Sequence, residues 1–239
     1  MNDSQNAFLR LSDILDTLRH QCPWDRTQTF KSLRYLTIEE VHELSDAIIE
    51  REELNRQIEI GDIPNSSAQE QLSLLNSQLK KELGDLAMHI LFYCKLAEEQ
   101  GLFTTADVYN SICDKLIDRH PFIYEKESYN GESWEQLKMR EGRTSELDGV
   151  PQSLPSVIKA QRMQEKVAGT HKHDKTEWKI DNPDCESLLS SIGNPISTEE
   201  QFGDLLFALI DWGRRHSFNA DDALCAANLR FKDSVSGKQ

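Results

Sequence analysis

The chain has 239 residues, of which 38% are hydrophobic and 28% charged, with 11 glycines and 7 prolines. This composition suits a soluble globular protein, and the small number of turn-forming residues disfavours an all-β fold, so we expect an all-α fold. The formal net charge of −14 argues against non-specific binding to nucleic acid, and it would repel a nucleotide unless a cation intervenes.

The first two predicted helices occupy the N-terminal quarter of the chain. Apolar residues at helical spacing predict a helix over residues 7 to 19, and Pro23 then interrupts it. Thr37 with Glu40 three positions later fits a capping box, so we expect a second helix to start there and to run to about Leu54.

Two further helices complete a predicted four-helix module. Gly, Pro and Ser between residues 59 and 69 predict a loop, and helical spacing resumes over residues 69 to 99, with Gly101 as a natural stop. The fourth predicted helix covers residues 106 to 119 and ends before Pro121.

A polar segment divides the chain into two predicted parts. Residues 129–152 contain Asn-Gly, Asp-Gly and proline, which is typical of a linker, with a short helix expected around Trp134. A second helical region begins near Pro155, at a first-turn position that suits proline. We therefore expect one helical module at 1–128 and a second module at 153–239.

The second module partly repeats the first. The sequence at 201–206, QFGDLL, parallels ELGDLA at 82–87, and each is followed by an apolar helix, a short break and another helix. Residues 182–194 stand where an acidic helix should recur and keep only Asp184 and Glu186. The copies also differ at three charged positions, where Gln201 replaces Glu82, Arg230 replaces Lys115 and Ser234 replaces Arg119. The second module is therefore predicted to be degenerate.

Two predicted helices carry clustered carboxylates beside their apolar residues. Residues three and four apart are neighbours on a helix, so Glu39, Glu40 and Glu43 project to one side, as do Glu82 and Asp85. If the apolar stripes pack together, the oxygens converge and favour a hard cation such as Mg²⁺. The same spacing is also typical of a solvated acidic surface, and spacing alone leaves both interpretations open.

A second metal interpretation is a di-iron carboxylate bundle. Glu39 and His42 form Glu-x-x-His, and His89 lies one turn after Asp85. The chain has no Walker A, G-x-G-x-x-G or G-x-S-x-G sequence to indicate P-loop, Rossmann or α/β-hydrolase chemistry.

Five stretches in this order resemble the MazG family of nucleoside triphosphate pyrophosphohydrolases. They are CPWDRTQT at 22–29, E-E-x-x-E at 39–43, E-x-x-D at 82–85, R-H-P at 119–121 and SLPSVIKAQRMQEKVA at 153–168. The resemblance covers nearly the whole chain. It implies an all-α homodimeric enzyme that hydrolyses NTPs or dNTPs to the monophosphate and pyrophosphate, with a house-cleaning role in the nucleotide pool.

The resemblance also implies a set of site residues. Mg²⁺, with Mn²⁺ as a possible substitute, would be held by Glu40, Glu43, Glu82 and Asp85. Glu39 is then the candidate for orienting or deprotonating the attacking water.

Cations are expected near the phosphates of the substrate. The candidates for contact with the substrate are Lys115, Arg119, Lys81 and Lys31, with Trp24 available to stack on a base. A non-catalytic helical assembly protein is the alternative to an enzyme.

The sequence also predicts where the protein works. The five cysteines are scattered and form no C-x-x-C pair, which favours a reducing compartment over a disulfide framework. The polar N-terminal stretch lacks the apolar core of a signal peptide, and no apolar run approaches the roughly 20 residues of a membrane helix. We therefore expect a cytoplasmic protein that binds neither membranes nor nucleic acid.

Overall fold

The computed structural model describes residues 2–61, 63–124, 131, 137, 145, 147–170, 196 and 198–236. Within those residues the chain forms nine helices and no strand, which confirms the predicted all-α class. The helices are α1 (Asp3–Gln21), α2 (Pro23–Thr27), α3 (Phe30–Glu59), α4 (Asn65–Glu99), α5 (Thr105–Asp118), α6 (Pro121–Tyr124), α7 (Ser156–Thr170), α8 (Glu199–Arg215) and α9 (Ala220–Ser236).

The chain divides into two compact units, Met1–Lys115 and Leu116–Gln239. Unit 1 holds α1 to α4 and most of α5, and unit 2 holds α6 to α9. The tandem-module arrangement and its boundaries at 128 and 153 stay predictions. The helix expected around Trp134 and the segment 182–194, with Asp184 and Glu186, lie outside the described residues.

The core of unit 1 joins three helices. Its buried residues are Leu15 of α1, Leu33 of α3, and Leu91, Phe92 and Leu96 of α4. Each such side chain contributes about 1.5–3 kcal/mol when it is removed from water. Because this cluster includes side chains from both α3 and α4, it fixes the register in which the two long helices pack.

The start of α3 differs from the prediction. The helix begins at Phe30, and its cap is Thr29, whose hydroxyl accepts from the Ser32 amide while the Ser32 hydroxyl accepts from the Thr29 amide. The capping box predicted at Thr37 is therefore wrong, and Glu40 is not a capping residue. Thr37 lies inside the helix, where its hydroxyl donates to the carbonyl of Leu33 at 2.9 Å.

The connection between α3 and α4 is shorter than predicted. The first helix continues past Leu54 to Glu59, because residues 55–59 contain no helix breaker, and the second begins at Asn65 instead of residue 69. Pro64 occupies the N-cap of α4. The two longest helices are thus joined by a tight turn, which makes them antiparallel neighbours.

The helix ends that were predicted at Pro23 and Gly101 are confirmed. Pro23 ends α1 and also begins α2, where proline suits a first-turn position. Gly101 adopts φ +65° directly after α4, and the Leu102 amide donates back to the carbonyl of Ala97, which closes the helix end. α1 starts earlier than expected, at Asp3, because Asn2 caps it.

Unit 2 is built from α7, α8 and α9. The Gln164 amide of α7 donates to the Phe207 carbonyl of α8 at 2.8 Å, and the Ala220 amide at the start of α9 donates to Gln161 at 3.0 Å. Pro155 directly precedes α7, and its carbonyl accepts from the Lys159 amide. In the part of the chain that the structure describes, no helix is long and apolar enough to cross a membrane.

Candidate metal centre

The pairing of α3 and α4 brings two distant sequence segments together. Arg51 of α3 donates to Asn76 of α4 at 2.8 Å, and further along the pair Thr37 contacts His89 at 2.8 Å. Residue numbers rise along one helix as they fall along the other, as an antiparallel pair requires. Between these two contacts lie the acidic residues of the two predicted motifs, Glu39, Glu40 and Glu43 on α3 and Glu82 and Asp85 on α4.

Three carboxylates meet in this interval. Glu40 of α3 and both Glu82 and Asp85 of α4 each offer one oxygen, and the three oxygens lie within 4.8 Å of one another. Glu40 and Asp85 are half-buried and Glu82 is fully buried. An all-oxygen donor set of this size is the type that a hard divalent cation prefers.

Glu82 is the residue whose surroundings most clearly fit a cation. Its side chain has 0% exposure. Oε1 accepts hydrogen bonds from the Gln78 amide and from Lys81, the latter at 3.1 Å. Oε2 is buried and accepts no hydrogen bond from the described residues. A buried carboxylate oxygen without a donor is costly, and a bound cation would satisfy it.

Desolvation, hydrogen bonding and the repulsion between carboxylates raise pKa values in the cluster. The pKa of Glu40 is raised by partial removal from water and then by the negative charges of Asp85, Glu43 and Glu82. The pKa of Lys81 is raised by its hydrogen bond to Glu82 and by the charges of the same acids. In both shifts the charges of neighbouring carboxylates add to the largest cause, which is desolvation for Glu40 and the hydrogen bond for Lys81.

Glu43 and Glu39 lie at the solvent edge of the cluster. Glu43 is exposed, and its pKa is raised by partial desolvation, by the charge of Glu82 and by a hydrogen bond that the protonated acid would share with Glu82. Glu39 is exposed, and its charge adds only the smallest contribution to that shift. The structure brings Glu43 next to Glu82 but outside the group of three close oxygens. The predicted roles of both stay predictions.

The residues predicted to contact the substrate lie in several structural elements and in both units of the chain. Lys81 is 61% exposed and lies 3.1 Å from Glu82 and 3.9 Å from Asp85, so it borders the cluster directly. Trp24 on α2 is 55% exposed, and Lys31 is exposed in the first turn of α3. Lys115 is the last residue of unit 1, whereas Arg119 belongs to unit 2. Their contacts with a substrate stay predictions.

The two histidines of the di-iron interpretation have different surroundings. His42 is exposed on α3, whereas His89 is buried on α4 with 4% exposure. Burial lowers the pKa of His89, although the charge of Asp85 opposes the shift. His89 Nε2 lies 4.0 Å from Glu40 Oε1. In the sequence, only its position four residues after Asp85 indicated that His89 lies beside the acidic cluster.

Comparison with known proteins shows the family to which the chain belongs. A family model described as the MazG nucleotide pyrophosphohydrolase domain matches residues 28–124, which include all three close carboxylates. The chain is 32% identical over 247 residues to a protein of Escherichia coli K12 named nucleoside triphosphate pyrophosphohydrolase, which covers 95% of this chain and 85% of that one. It is 29% identical to the Thermotoga maritima protein named nucleoside triphosphate pyrophosphohydrolase/pyrophosphatase MazG, over 97% of this chain and 85% of that one. The resemblance seen in the sequence is confirmed, and the chain belongs to the MazG family of nucleotide pyrophosphohydrolases.

Proposed function

We propose that the protein hydrolyses nucleoside triphosphates to the monophosphate and pyrophosphate at a cation centre formed by Glu40, Glu82 and Asp85. The observation that best supports a bound cation is the fully buried Glu82, whose Oε2 accepts no hydrogen bond from the described residues. The carboxylates of Glu40 and Asp85 lie close enough to share a cation with it. Mg²⁺ fits this donor set, and Mn²⁺ would substitute for it. Family membership supports the reaction.

Charge explains why the cation is needed. A triphosphate carries roughly four negative charges near neutral pH, and a protein of net charge −14 repels it. Held by Glu40, Glu82 and Asp85, Mg²⁺ would supply positive charge to offset the negative charge of the phosphate oxygens and Lewis acidity for attack at the α-phosphorus. The carboxylates thus attract an acidic substrate only through the cation they hold.

The remaining residues act on the proton and the phosphates. Glu43 is proposed as a fourth cation ligand because it lies beside Glu82. Glu39, one turn before Glu43, would take the proton of the attacking water. Lys81 lies between the cluster and solvent, where its amine would stabilise the charge of the departing pyrophosphate. Lys31 is proposed as a further phosphate contact.

Three other residues complete the proposal for substrate recognition. The guanidinium of Arg119 suits a bidentate contact with phosphate, and Lys115 precedes it by one helical turn. Trp24 presents an exposed indole on α2, on which a base would stack.

A product assay tests the reaction. Purified protein with Mg²⁺ and a panel of canonical and damaged NTPs should release pyrophosphate and the monophosphate in equal amounts, and chelation by EDTA should stop the release. Glu82→Gln should reduce kcat by at least about 10²-fold, because it removes one full charge from the centre. Glu43→Ala should also reduce turnover while the far-UV circular dichroism spectrum stays helical.

Glu70→Gln is the matched control, because Glu70 is an exposed acid on the same helix. It should leave the rate unchanged. Orthophosphate as the first product, or full activity in Glu82→Gln, would refute the proposed reaction. A complete absence of turnover with every nucleotide would instead support the non-catalytic assembly protein.

We also propose a homodimer in the cytoplasm. Leu9, Ile14 and Leu18 of α1 are apolar and between 38% and 43% exposed, and together they line an open groove on that helix. A second copy would remove such side chains from water. Light scattering coupled to size exclusion should give about twice the chain mass of 27.4 kDa, and a mass of one chain would contradict the dimer.

A further inference from the structure

A partly buried chain of hydrogen bonds ends at the edge of the acidic cluster. Thr37 Oγ1 lies 2.9 Å from the Leu33 carbonyl, 2.8 Å from His89 Nδ1 and 2.7 Å from the Tyr93 hydroxyl. His89 itself is 4% exposed, and its other ring nitrogen, Nε2, lies 4.0 Å from Glu40 Oε1. The ring therefore connects the interior of the α3–α4 pair with a carboxylate of the centre.

The protons of this chain can be assigned from its contacts. A carbonyl oxygen only accepts, so the single hydroxyl proton of Thr37 goes to Leu33. Thr37 must then accept from both of its other neighbours, which makes His89 Nδ1 and the Tyr93 hydroxyl donors. In the neutral imidazole the second nitrogen, Nε2, is left with a lone pair.

That lone pair and the Glu40 carboxylate are two acceptors that face the same gap. Their separation of 4.0 Å is too long for a direct hydrogen bond, and one water in this gap could donate to both acceptors. Among the described residues the group of close ligand atoms consists of Glu40, Glu82 and Asp85, without His89. His89 is thus a neighbour of a ligand residue, placed to orient it.

We propose that His89 is a positioning residue of the metal centre: Thr37 and Tyr93 hold its ring so that Nε2 keeps a water against Glu40 and fixes how that carboxylate presents its oxygens to the cation. The inference rests on the proposed function of the cluster. Partners of ligand residues typically change metal affinity by about 10- to 100-fold when they are removed.

Two amide variants separate positioning from packing. The amide of His89→Asn reaches the position of Nδ1 and can keep the contact with Thr37, but it leaves nothing at Nε2. The amide of His89→Gln reaches the position of Nε2 and can accept there, but it gives up the contact with Thr37. If Nε2 positions Glu40, His89→Asn should weaken Mn²⁺ binding by about 10- to 100-fold, and His89→Gln should retain more of the affinity.

The measurement is Mn²⁺ titration of the nucleotide-free full-length chain, followed by electron paramagnetic resonance, with thermal melts to show that each variant is folded. The opposite ranking, or wild-type affinity in His89→Asn, would overturn the role of Nε2. Glu82→Gln is the reference variant. If Glu82→Gln abolishes Mn²⁺ binding and His89→Asn does not change it, the positioning role of His89 is wrong while the proposed metal centre stands. If neither variant changes it, the proposed metal centre fails as well.

A spectroscopic readout on the unmodified chain makes the test independent of variant stability. In protein labelled with ¹⁵N-histidine, the His89 ring should carry its proton on Nδ1, and addition of Mg²⁺ should shift the Nε2 resonance. Thr37→Val should allow the Nε2-protonated tautomer to appear, because it removes the acceptor of Nδ1. A ring protonated on Nε2 in the unmodified chain, or an Nε2 resonance that Mg²⁺ leaves in place, would overturn the inference.

Discussion

Glu40 on α3 and Glu82 on α4 hold carboxylate oxygens within 4.8 Å of one another, and Glu82 is removed from water entirely. Two like charges at this distance repel, most strongly where water is excluded. The buried apolar cluster that includes Leu33 of α3 and Leu91 of α4 imposes this register. The fold therefore holds the acids in a repulsive arrangement that a bound cation would relieve.

Removal of the Glu82 charge should have opposite effects with and without a divalent cation. Without one, Glu82→Gln should raise the free energy of unfolding by about 1 kcal/mol or more, because an incompletely paired buried charge is lost. With Mg²⁺ at about 100 times its Kd, the wild-type chain should gain roughly 2.7 kcal/mol, whereas the variant should gain much less. Urea unfolding in EDTA and in Mg²⁺ measures both effects.

Glu70→Gln provides the reference for that experiment, since it removes an exposed charge from the same helix. It should behave like the wild type in both buffers. The interpretation of Glu82 as a strained cation ligand is wrong if Glu82→Gln loses stability in EDTA and keeps the full Mg²⁺ effect.

The raised pKa of Glu40 predicts how the metal-free chain responds to pH. The folded chain binds this proton more readily than the unfolded one, whose Glu40 titrates near its usual 4.5. The contribution of Glu40 to the free energy of unfolding therefore falls as pH rises from 4.5 through the folded pKa. Glu40→Gln should be more stable than the wild type at pH 7, and the difference should vanish below pH 4.5, as urea titrations across this range would record.

Asp107 should show the opposite pH dependence and serves as the control. Hydrogen bonds from the amide and hydroxyl of Thr104 lower its pKa below the usual 3.8. Its contribution to stability is present above that value and is lost as pH falls through the folded pKa. Asp107→Asn should therefore be less stable than the wild type at pH 7. Curves of the same sign for Glu40→Gln and Asp107→Asn would contradict the assigned causes.

The sequence revealed the helices and the acidic motifs because both depend on local spacing. The 3.6-residue period placed the carboxylates beside the apolar stripes, and that pattern does not depend on tertiary contacts. The start of α3 was predicted wrongly because Thr29 and Thr37 are both followed by residues that are compatible with a helix. The choice of Thr29 over Thr37 depends on the Ser32 side chain and on the contacts that Thr37 makes within the α3–α4 pair.

The burial of Glu82 and His89 could not be predicted from one chain. Both residues lie about one helical turn from Asp85 on α4, yet their exposure depends on which turn of α3 lies opposite, and that register is set by core contacts between distant residues. Helical spacing also could not distinguish Glu43 from Glu40 as a candidate cation ligand. The pairing of the helices leaves Glu43 exposed and draws Glu40 inward.

The side chain of Arg19 should be a main support for the C-P-W-D segment. Its Nε and Nη2 donate to Glu99 of α4, and its Nη1 donates to the carbonyls of Asp25 and Gln28, with only 14% of the side chain exposed. Arg19→Lys cannot make these contacts together and should cost about 1.5–3 kcal/mol of unfolding free energy. Arg26→Lys, at an exposed position of α2, should cost nothing measurable.

Arg19 also lowers the pKa of Glu99, chiefly through their hydrogen bond. The stabilisation by this pair is therefore present above the ordinary pKa of a glutamate, 4.5, and is lost as pH falls through the folded pKa. The penalty of Arg19→Lys in urea unfolding should shrink in acid. A penalty that stays constant down to pH 3 would mean that packing against Phe92, whose ring centroid lies 5.9 Å from the guanidinium, dominates the effect.

Two glycines of the α3–α4 pair should respond oppositely to replacement by alanine. Gly61, in the turn between the helices, adopts φ +80°, and a side chain there is strained by about 1–2 kcal/mol. Gly84 lies inside α4 between Glu82 and Asp85, and an added Cβ would meet no atom within 4 Å. Gly84→Ala should therefore stabilise the chain by about 0.5–1 kcal/mol through its higher helix propensity, while Gly61→Ala destabilises it. Differential scanning calorimetry would measure both shifts, and a lower melting temperature for Gly84→Ala would contradict the open surroundings of that position.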